Sequence, residues 1–290
     1  MLTSWNFDKV VDLLVQAAHI SQSMIDSPET EMKSDCSPVT RADRAVENFM
    51  TEQLENTAEN CYLIGEETVN SKQHGYLEQA LKNTAWIIDP IDGTAEFANK
   101  VPFWGNSIGY SENGVILEGG ILVPGTGEMM ISNKGVTYYA NEGSNPAFWD
   151  FHRNLKPLTP PSEHFDESCI ISLSQQVCKL GRIHSANTIN TLCSSVYAAI
   201  LLATGRYGAI VTRAKLWDHA GYVASLKNLG FQASAPVEEN NILSMNINDQ
   251  IYKLDLDASD AFALRKQHTV IAKTRETIEK VHGYLTMPES

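Results

Sequence analysis

Four acidic clusters in this chain have the residue types and setting for chemistry. They are Asp43 in "VTRADRAVE", Glu66 and Glu67 in "LIGEE", Asp89 and Asp92 in "WIIDPIDGTAEF", and Asp218 in "KLWDHAG". Three of the four follow or end an apolar run. Carboxylates at the ends of buried strands converge at a sheet edge, where sites commonly form. Crowded acids repel one another and raise some pKa values, so a bound cation is the usual partner. Oxygen-only donors favour Mg²⁺, Mn²⁺ or Ca²⁺ over zinc. The spacing of the downstream acids does not make an EF-hand.

The turn after "WIID" combines two functions. Pro90 fixes the angle at which the chain leaves the strand. Gly93 permits close backbone approach, and Thr94 opens a short helix, "TAEFANK". Amides at Gly93, Thr94 and Ala95 then point from a helix N-terminus, a natural seat for phosphate. Cation ligands beside a phosphate cradle suit metal-assisted phosphoester hydrolysis, in which one ion activates water and another steadies the leaving oxygen. The plain alternatives are a capped turn for Asp89 and Asp92, a solvated turn for Glu66 and Glu67, an exposed helix acid for Asp43 and a helix N-cap for Asp218.

These acids need elements to position them. The spacing predicts a helix from Phe7 that ends near Ser27, and a second over "VTRADRAVENFMTEQLEN" with Ala42, Ala45, Val46, Phe49, Met50 and Leu54 on one face. "CYLIG" and "AWIID" read as buried strands, and residues 105–139 as a β-meander. The stretch 29–38 reads as a loop, and 141–168 as a connection. Further on, "CIISLS", "YGAIVT", "KLDLDA" and "HTVIAK" read as strands. "NTLCSSVYAAILLATG", "DHAGYVASLKNLG" and "TRETIEKVHGYL" read as helices. The expected fold class is therefore α/β: an α+β half over 1–150, which carries most of the acids, and an α/β half over 151–290, which supplies Asp218, packed as one unit.

Composition narrows the partners. The chain has 290 residues and a formal net charge of −13, which argues against a nucleic-acid polymer. Five cysteines with no C-x-x-C pair read as free buried thiols in a reducing cytoplasm. Neither a signal peptide nor an apolar run of membrane-spanning length is read, so no membrane is expected.

"VT-x-x-D", "GEE", "WIIDPIDGT" and "WDHAG", in that order and at these spacings, resemble the inositol monophosphatase family of Mg²⁺-dependent, lithium-sensitive phosphomonoesterases. The likeness runs from Lys33 through Lys273 and is weakest over about 141–190. It implies a layered α/β/α/β/α sandwich, a homodimer, and two or three Mg²⁺ ions per site, with Mn²⁺ as a substitute. It also implies roles. Glu66, Asp89 and the Ile91 carbonyl would hold the first metal, and Asp89, Asp92 and Asp218 the second. Asp43 and Thr94 would orient and deprotonate water, with Glu67 as a supporting catalytic acid. Gly93 and Thr94 amides, beside Asp92, would hold the phosphate. Lys33 falls where the family has a mobile loop.

The departures concern substrate. Inositol-phosphate members carry an acid seven positions before the "WD" aspartate; here that residue is Val211. Nearby Arg213 and Lys215 are candidates for a second anionic group, with surface ion pairing as the plain alternative. The bulky Tyr222 follows "WDHAG", and "KNLGF", with Leu229 and Phe231, stands where many members of the family have "EAGG"; both departures bear on the substrate and leave the metal site untouched. His219 reads as structural. Inositol monophosphate is the default substrate. Histidinol phosphate, 3′-phosphoadenosine 5′-phosphate and fructose 1,6-bisphosphate, which relatives hydrolyse, are alternatives, and a non-catalytic metal-binding regulator is the reading from another class.

Overall fold

In the computed structural model, residues 1–33, 38–73, 75–234, 242–256, 258, 260–265 and 268–286 are described. Two sheets organise them. The larger has seven strands in the order Cys61–Gly65, Thr84–Asp92, Gly105–Glu112, Val115–Val123, Glu128–Asn133, Val136–Asn141 and Lys156–Pro157. Its first pair is parallel and the rest antiparallel. The smaller has five, in the order Thr188–Asn190, Ile170–Leu173, Ala209–Thr212, Thr269–Ala272 and Gln232–Ala233.

Alternation along each strand sends side chains to two different cores. Helices Phe7–Met24 and Arg41–Leu54 cover one face of the large sheet, where Trp86 and Ile88 are fully buried. Ala85 and Ile87 point the other way, into a middle layer of helices Ser195–Ala203, Leu216–Ala220 and Val223–Asn228. Ile210 and Ile271 of the small sheet close that layer from its far side. Helix Arg275–Tyr284 packs Ile278 and Val281 on the outer face of the small sheet. The result is the α/β/α/β/α sandwich. The all-apolar helix "SVYAAILLA" follows from its place in the middle layer, buried on nearly every side.

Several local expectations are revised. The described part of 29–38 is not loop throughout, since Thr30–Met32 pairs antiparallel with Pro38–Thr40, and Val39 and Thr40, read as the start of the second helix, belong to that strand. Within 141–168 lie helix Phe151–Asn154 and an edge strand that seats Pro157, a residue with no amide to donate, at the sheet margin. "KLDLDA" forms no strand among its described residues; Lys253 instead exchanges backbone hydrogen bonds with Phe262 and Ala263. "DHAGYVASLKNLG" is two helices, Leu216–Ala220 and Val223–Asn228, joined through Gly221 and Tyr222; a Cβ on Gly221 would meet Ser107 and Ile121, so glycine lets this junction lie close against the large sheet. The described cysteines are free, but Cys61 is the buried one and Cys178 is exposed. Cys36 lies outside the described residues. No helix among the described residues is long and apolar enough to cross a membrane.

Candidate active site

Asp89 and Asp92 end the second strand of the large sheet. In a regular strand, residues three apart face opposite ways. Here the register slips: Asp89 pairs with Ser107, and Asp92 pairs with Gly105. Three steps on one strand oppose two on its neighbour, which is a β-bulge at Pro90–Ile91. A proline is tolerated at such a point because the ladder is already broken. The Pro90 carbonyl accepts from Asn106 Nδ2 at 2.5 Å instead. The extra residue turns Asp92 back to the face of Asp89. Oxygens of Asp89, Asp92 and Asp218 then lie within 4.8 Å of one another.

Each acid is set differently. Asp92 accepts from Ser194 Oγ at 2.6 Å and Val196 N at 2.8 Å on one oxygen, and from Ser195 Oγ at 3.1 Å on the other. It thus sits at the N-terminus of helix Ser195–Ala203, which tethers the middle layer to the large sheet. Burial pushes the Asp92 carboxyl up to about 6, against the pull of these donors. Asp218 lies in the first turn of its helix and accepts from the Lys215 amide at 2.7 Å. Burial, then Asp92 and Glu66, push it up to about 8. Asp89 is fully buried, and its Oδ1 has no hydrogen-bond partner. Burial and the Glu66, Asp92 and Asp218 charges raise its pKa well above the carboxylate range. A bare, buried carboxylate oxygen amid other carboxylates is the setting for a hard divalent cation, so the donor set fits Mg²⁺.

Asp43 is buried rather than an exposed helix acid. With Thr40 it closes a capping box: Thr40 N donates to its Oδ2 at 2.8 Å and Thr40 Oγ1 at 2.5 Å. Thr94 Oγ1 stands 3.2 Å from Asp43 Oδ1 and 3.0 Å from the Ile91 carbonyl. Burial pushes Asp43 up to about 6. Gly93, at φ +88°, begins helix Thr94–Ala98, a left-handed turn that glycine adopts at no steric cost. Lys33 Nζ bridges Glu66 at 2.8 Å and Glu67 at 2.6 Å. Burial and Glu66 push Glu67 up to about 7.

A cavity of about 380 Å³ gathers these groups. Glu66, Asp89, Ile91, Asp92, Thr94 and Asp218 line it, and so do Gly93, Arg213 and Lys215. Asp43 and Glu67 are not among its lining residues; Asp43 reaches it through Thr94. A model of the inositol monophosphatase family matches residues 6–280. The chain belongs to the inositol monophosphatase family.

That family is one of metal-dependent phosphomonoesterases, and this member is a phosphoric monoester hydrolase. An inositol-1-monophosphatase of Bacillus subtilis is 28% identical over 244 residues, 79% of this chain and 85% of the relative. A histidinol-phosphatase of Mycobacterium tuberculosis is 32% identical over 117 residues, 40% of this chain and 42% of the relative. An IMPase/NADP phosphatase solved with Mg²⁺ and phosphate superposes with a TM-score of 0.68, at 18% identity and 94% coverage of both chains.

Within this family member, the structure adds groups that the sequence reading passed over. Glu47 is buried one turn after Asp43, and its Oε2 accepts the Glu67 amide at 2.9 Å. A Cβ on Gly65 would meet the Glu47 carboxylate at 2.4 Å, so the "GEE" turn closes on Glu47 only with glycine there. The signal was present: Asp43 and Glu47 share the i, i+4 face of Ala42, Val46 and Met50. Lys179 also lines the cavity, from helix Gln175–Leu180, which the sequence reading did not mark. Tyr222 is corrected in the other direction. It is buried beneath the site and does not line the cavity, so its bulk does not narrow the substrate space. His219 is structural, as expected: fully buried, held neutral with its pKa lowered to about 3, and 2.6 Å from Tyr252 Oη.

Proposed function

We propose that this chain hydrolyses a small phosphorylated metabolite with Mg²⁺ as cofactor, through the groups gathered around the bulge of strand Thr84–Asp92. The observation that carries the reading is the convergence of Asp89, Asp92 and Asp218 within 4.8 Å beside the Asp43–Thr94 pair. Glu66, Asp89, Asp92, Asp218 and the Ile91 carbonyl are the groups that would hold two or three ions, and Mn²⁺ suits the same oxygens. When bound, Mg²⁺ polarises the phosphoryl group, acidifies water and offsets charge on the leaving oxygen.

The chain's own residues do the rest. Asp43 accepts from Thr94, so that hydroxyl can in turn accept from a water and pass its proton to the carboxylate. Amides at Gly93 and Thr94 face the phosphate at the start of their helix. Ser194, Ser195 and the Val196 amide fix Asp92 in angle and favour its ionised form against the pull of burial. Glu47 fixes the backbone that carries Glu66 and Glu67. The homodimer implied by the resemblance belongs to the same proposal, and light scattering checks it.

Inositol 1-phosphate and histidinol phosphate head the substrate panel, since relatives carry those names. Fructose 1,6-bisphosphate and 3′-phosphoadenosine 5′-phosphate complete it. Phosphate release is measured with Mg²⁺ and with EDTA. Turnover of at least one member only with Mg²⁺ is expected; none with any member overturns the proposal.

A further inference from the structure

The cavity is polarised by its construction. Glu66, Asp89 and Asp92 reach it from strand ends of the large sheet. The three cations among its described lining residues come from strand ends of the small sheet: Lys179 from the helix after Ile170–Leu173, and Arg213 and Lys215 from the segment after Ala209–Thr212. Those two strands are parallel neighbours, with Leu173 opposite Val211, so their carboxyl ends open on one place. The link is direct, because Ser174 N donates to the Val211 carbonyl at 2.9 Å. Gln175 and Lys179, one turn apart on the same short helix, both line the cavity.

Polar groups that line the same cavity suit an anion. Ser174, Gln175 and Thr212 offer hydroxyl and amide hydrogens. Apart from Asp218, the described lining residues beyond position 150 include no carboxylate. Ala198 and Ile210 supply an apolar stretch of wall. Val211 lines the cavity at its strand end, while its side chain packs in the outer core with Val270 and Ile278. A hydroxyl-rich ring would meet few strong acceptors on this wall. A second anionic group would meet guanidinium and ammonium charge, in a protein whose net charge is −13. Asp260, which feels the Arg213 charge, is itself ion-paired with Lys253.

We infer that the substrate is a small phosphomonoester carrying a second anionic group, carboxylate or phosphate, which Lys179 and Arg213 hold on the small-sheet side of the cavity. This rests on the phosphatase reading above. The test uses matched compounds with Mg²⁺: glycerol 1-phosphate against 3-phosphoglycerate for carboxylate, and inositol 1-phosphate against inositol 1,4-bisphosphate for phosphate. In at least one pair, the parent should favour the doubly anionic member in kcat/KM by roughly tenfold to a hundredfold, the worth of a charged hydrogen bond. In Lys179→Ala/Arg213→Ala that ratio should fall toward one, chiefly through KM, and Lys179→Arg/Arg213→Lys should restore it. The pair that responds identifies the group. No preference in either pair, or a preference that survives the double alanine variant, overturns the second subsite alone. No Mg²⁺-dependent turnover anywhere in the panel overturns the phosphatase reading, and this inference with it.

Discussion

Asp43 and Asp89 are both carboxyls pushed up by burial, yet their surroundings assign them opposite work. Asp43 has donors on both oxygens, from Thr40 and Thr94. Asp89 keeps a buried oxygen bare. The first is arranged to exchange a proton along a hydrogen bond, and the second to meet a cation. With its pKa raised to about 6, Asp43 is ionised at neutral pH and becomes protonated below 6. Cleavage should therefore weaken as pH falls through 6, because the base is then occupied. Asp43→Asn should cost roughly 10²–10⁴ in kcat, the usual share of a general base, and remove its part of that acidic limb, leaving the part that Asp92 adds through cation binding. A variant with a normal rate excludes Asp43 as the base. Asp89→Asn leaves the shape and removes the charge. Calorimetric titration with Mg²⁺ should lose most of its heat in that variant, and an unaltered isotherm would place the ion elsewhere.

At the scale of elements, the decisive feature is one extra residue in a strand. Without the bulge, alternation would send Asp92 to the face of Trp86 and Ile88, toward the outer helices. The strand itself was legible from "AWIID" and the turn from "DPIDG". The bulge was not, because it exists only relative to the neighbouring strand, where Gly105 and Ser107 set the register. In the middle layer, helix Ser195–Ala203 lies where "NTLCSSVYAAILLATG" reads as helix, whereas "DHAGYVASLKNLG" is two helices instead of one. The break falls at Gly221 and Tyr222, where a Cβ on the glycine would meet Ser107 and Ile121 of the large sheet, a closeness that no local pattern encodes. Lys179 was missed because its six-residue helix is too short for periodicity to register. The four acidic motifs, by contrast, are local in sequence, so their identity could be read before their geometry. Gly93 makes the element argument testable. Its φ of +88° disfavours any side chain, and a Cβ there would meet Ser194, Trp104 and the Phe103 carbonyl at 3.1, 3.3 and 3.4 Å. Gly93→Ala should lower stability by about 1–3 kcal/mol. The urea midpoint should fall with the slope unchanged. An alanine variant as stable as its parent would show that the turn carries no such constraint.

Across the whole molecule, the acid cluster couples folding to pH and to cations. Burial raises Asp92 to about 6, Asp218 to about 8 and Asp89 well above its ordinary range. Each is thus more easily protonated in the folded chain than in the unfolded one. The stability this contributes is full below the ordinary carboxylate range, near pH 4, and is lost as pH rises through about 6 and then 8. A net charge of −13 adds general self-repulsion in the same direction. Mg²⁺ reverses the trend, since it binds the ionised carboxylates and competes with their protons. At a hundred times its dissociation constant, a ligand of the folded state adds about 2.7 kcal/mol. For a chain of this size that is a rise of several degrees in Tm. Scanning calorimetry in EDTA should therefore show Tm falling between pH 5.5 and 8, while saturating Mg²⁺ raises it more at pH 8 than at pH 5.5. An equal gain at both pH values would mean that the cation binds groups already ionised at pH 5.5, and the cluster of Asp89, Asp92 and Asp218 would no longer be its site.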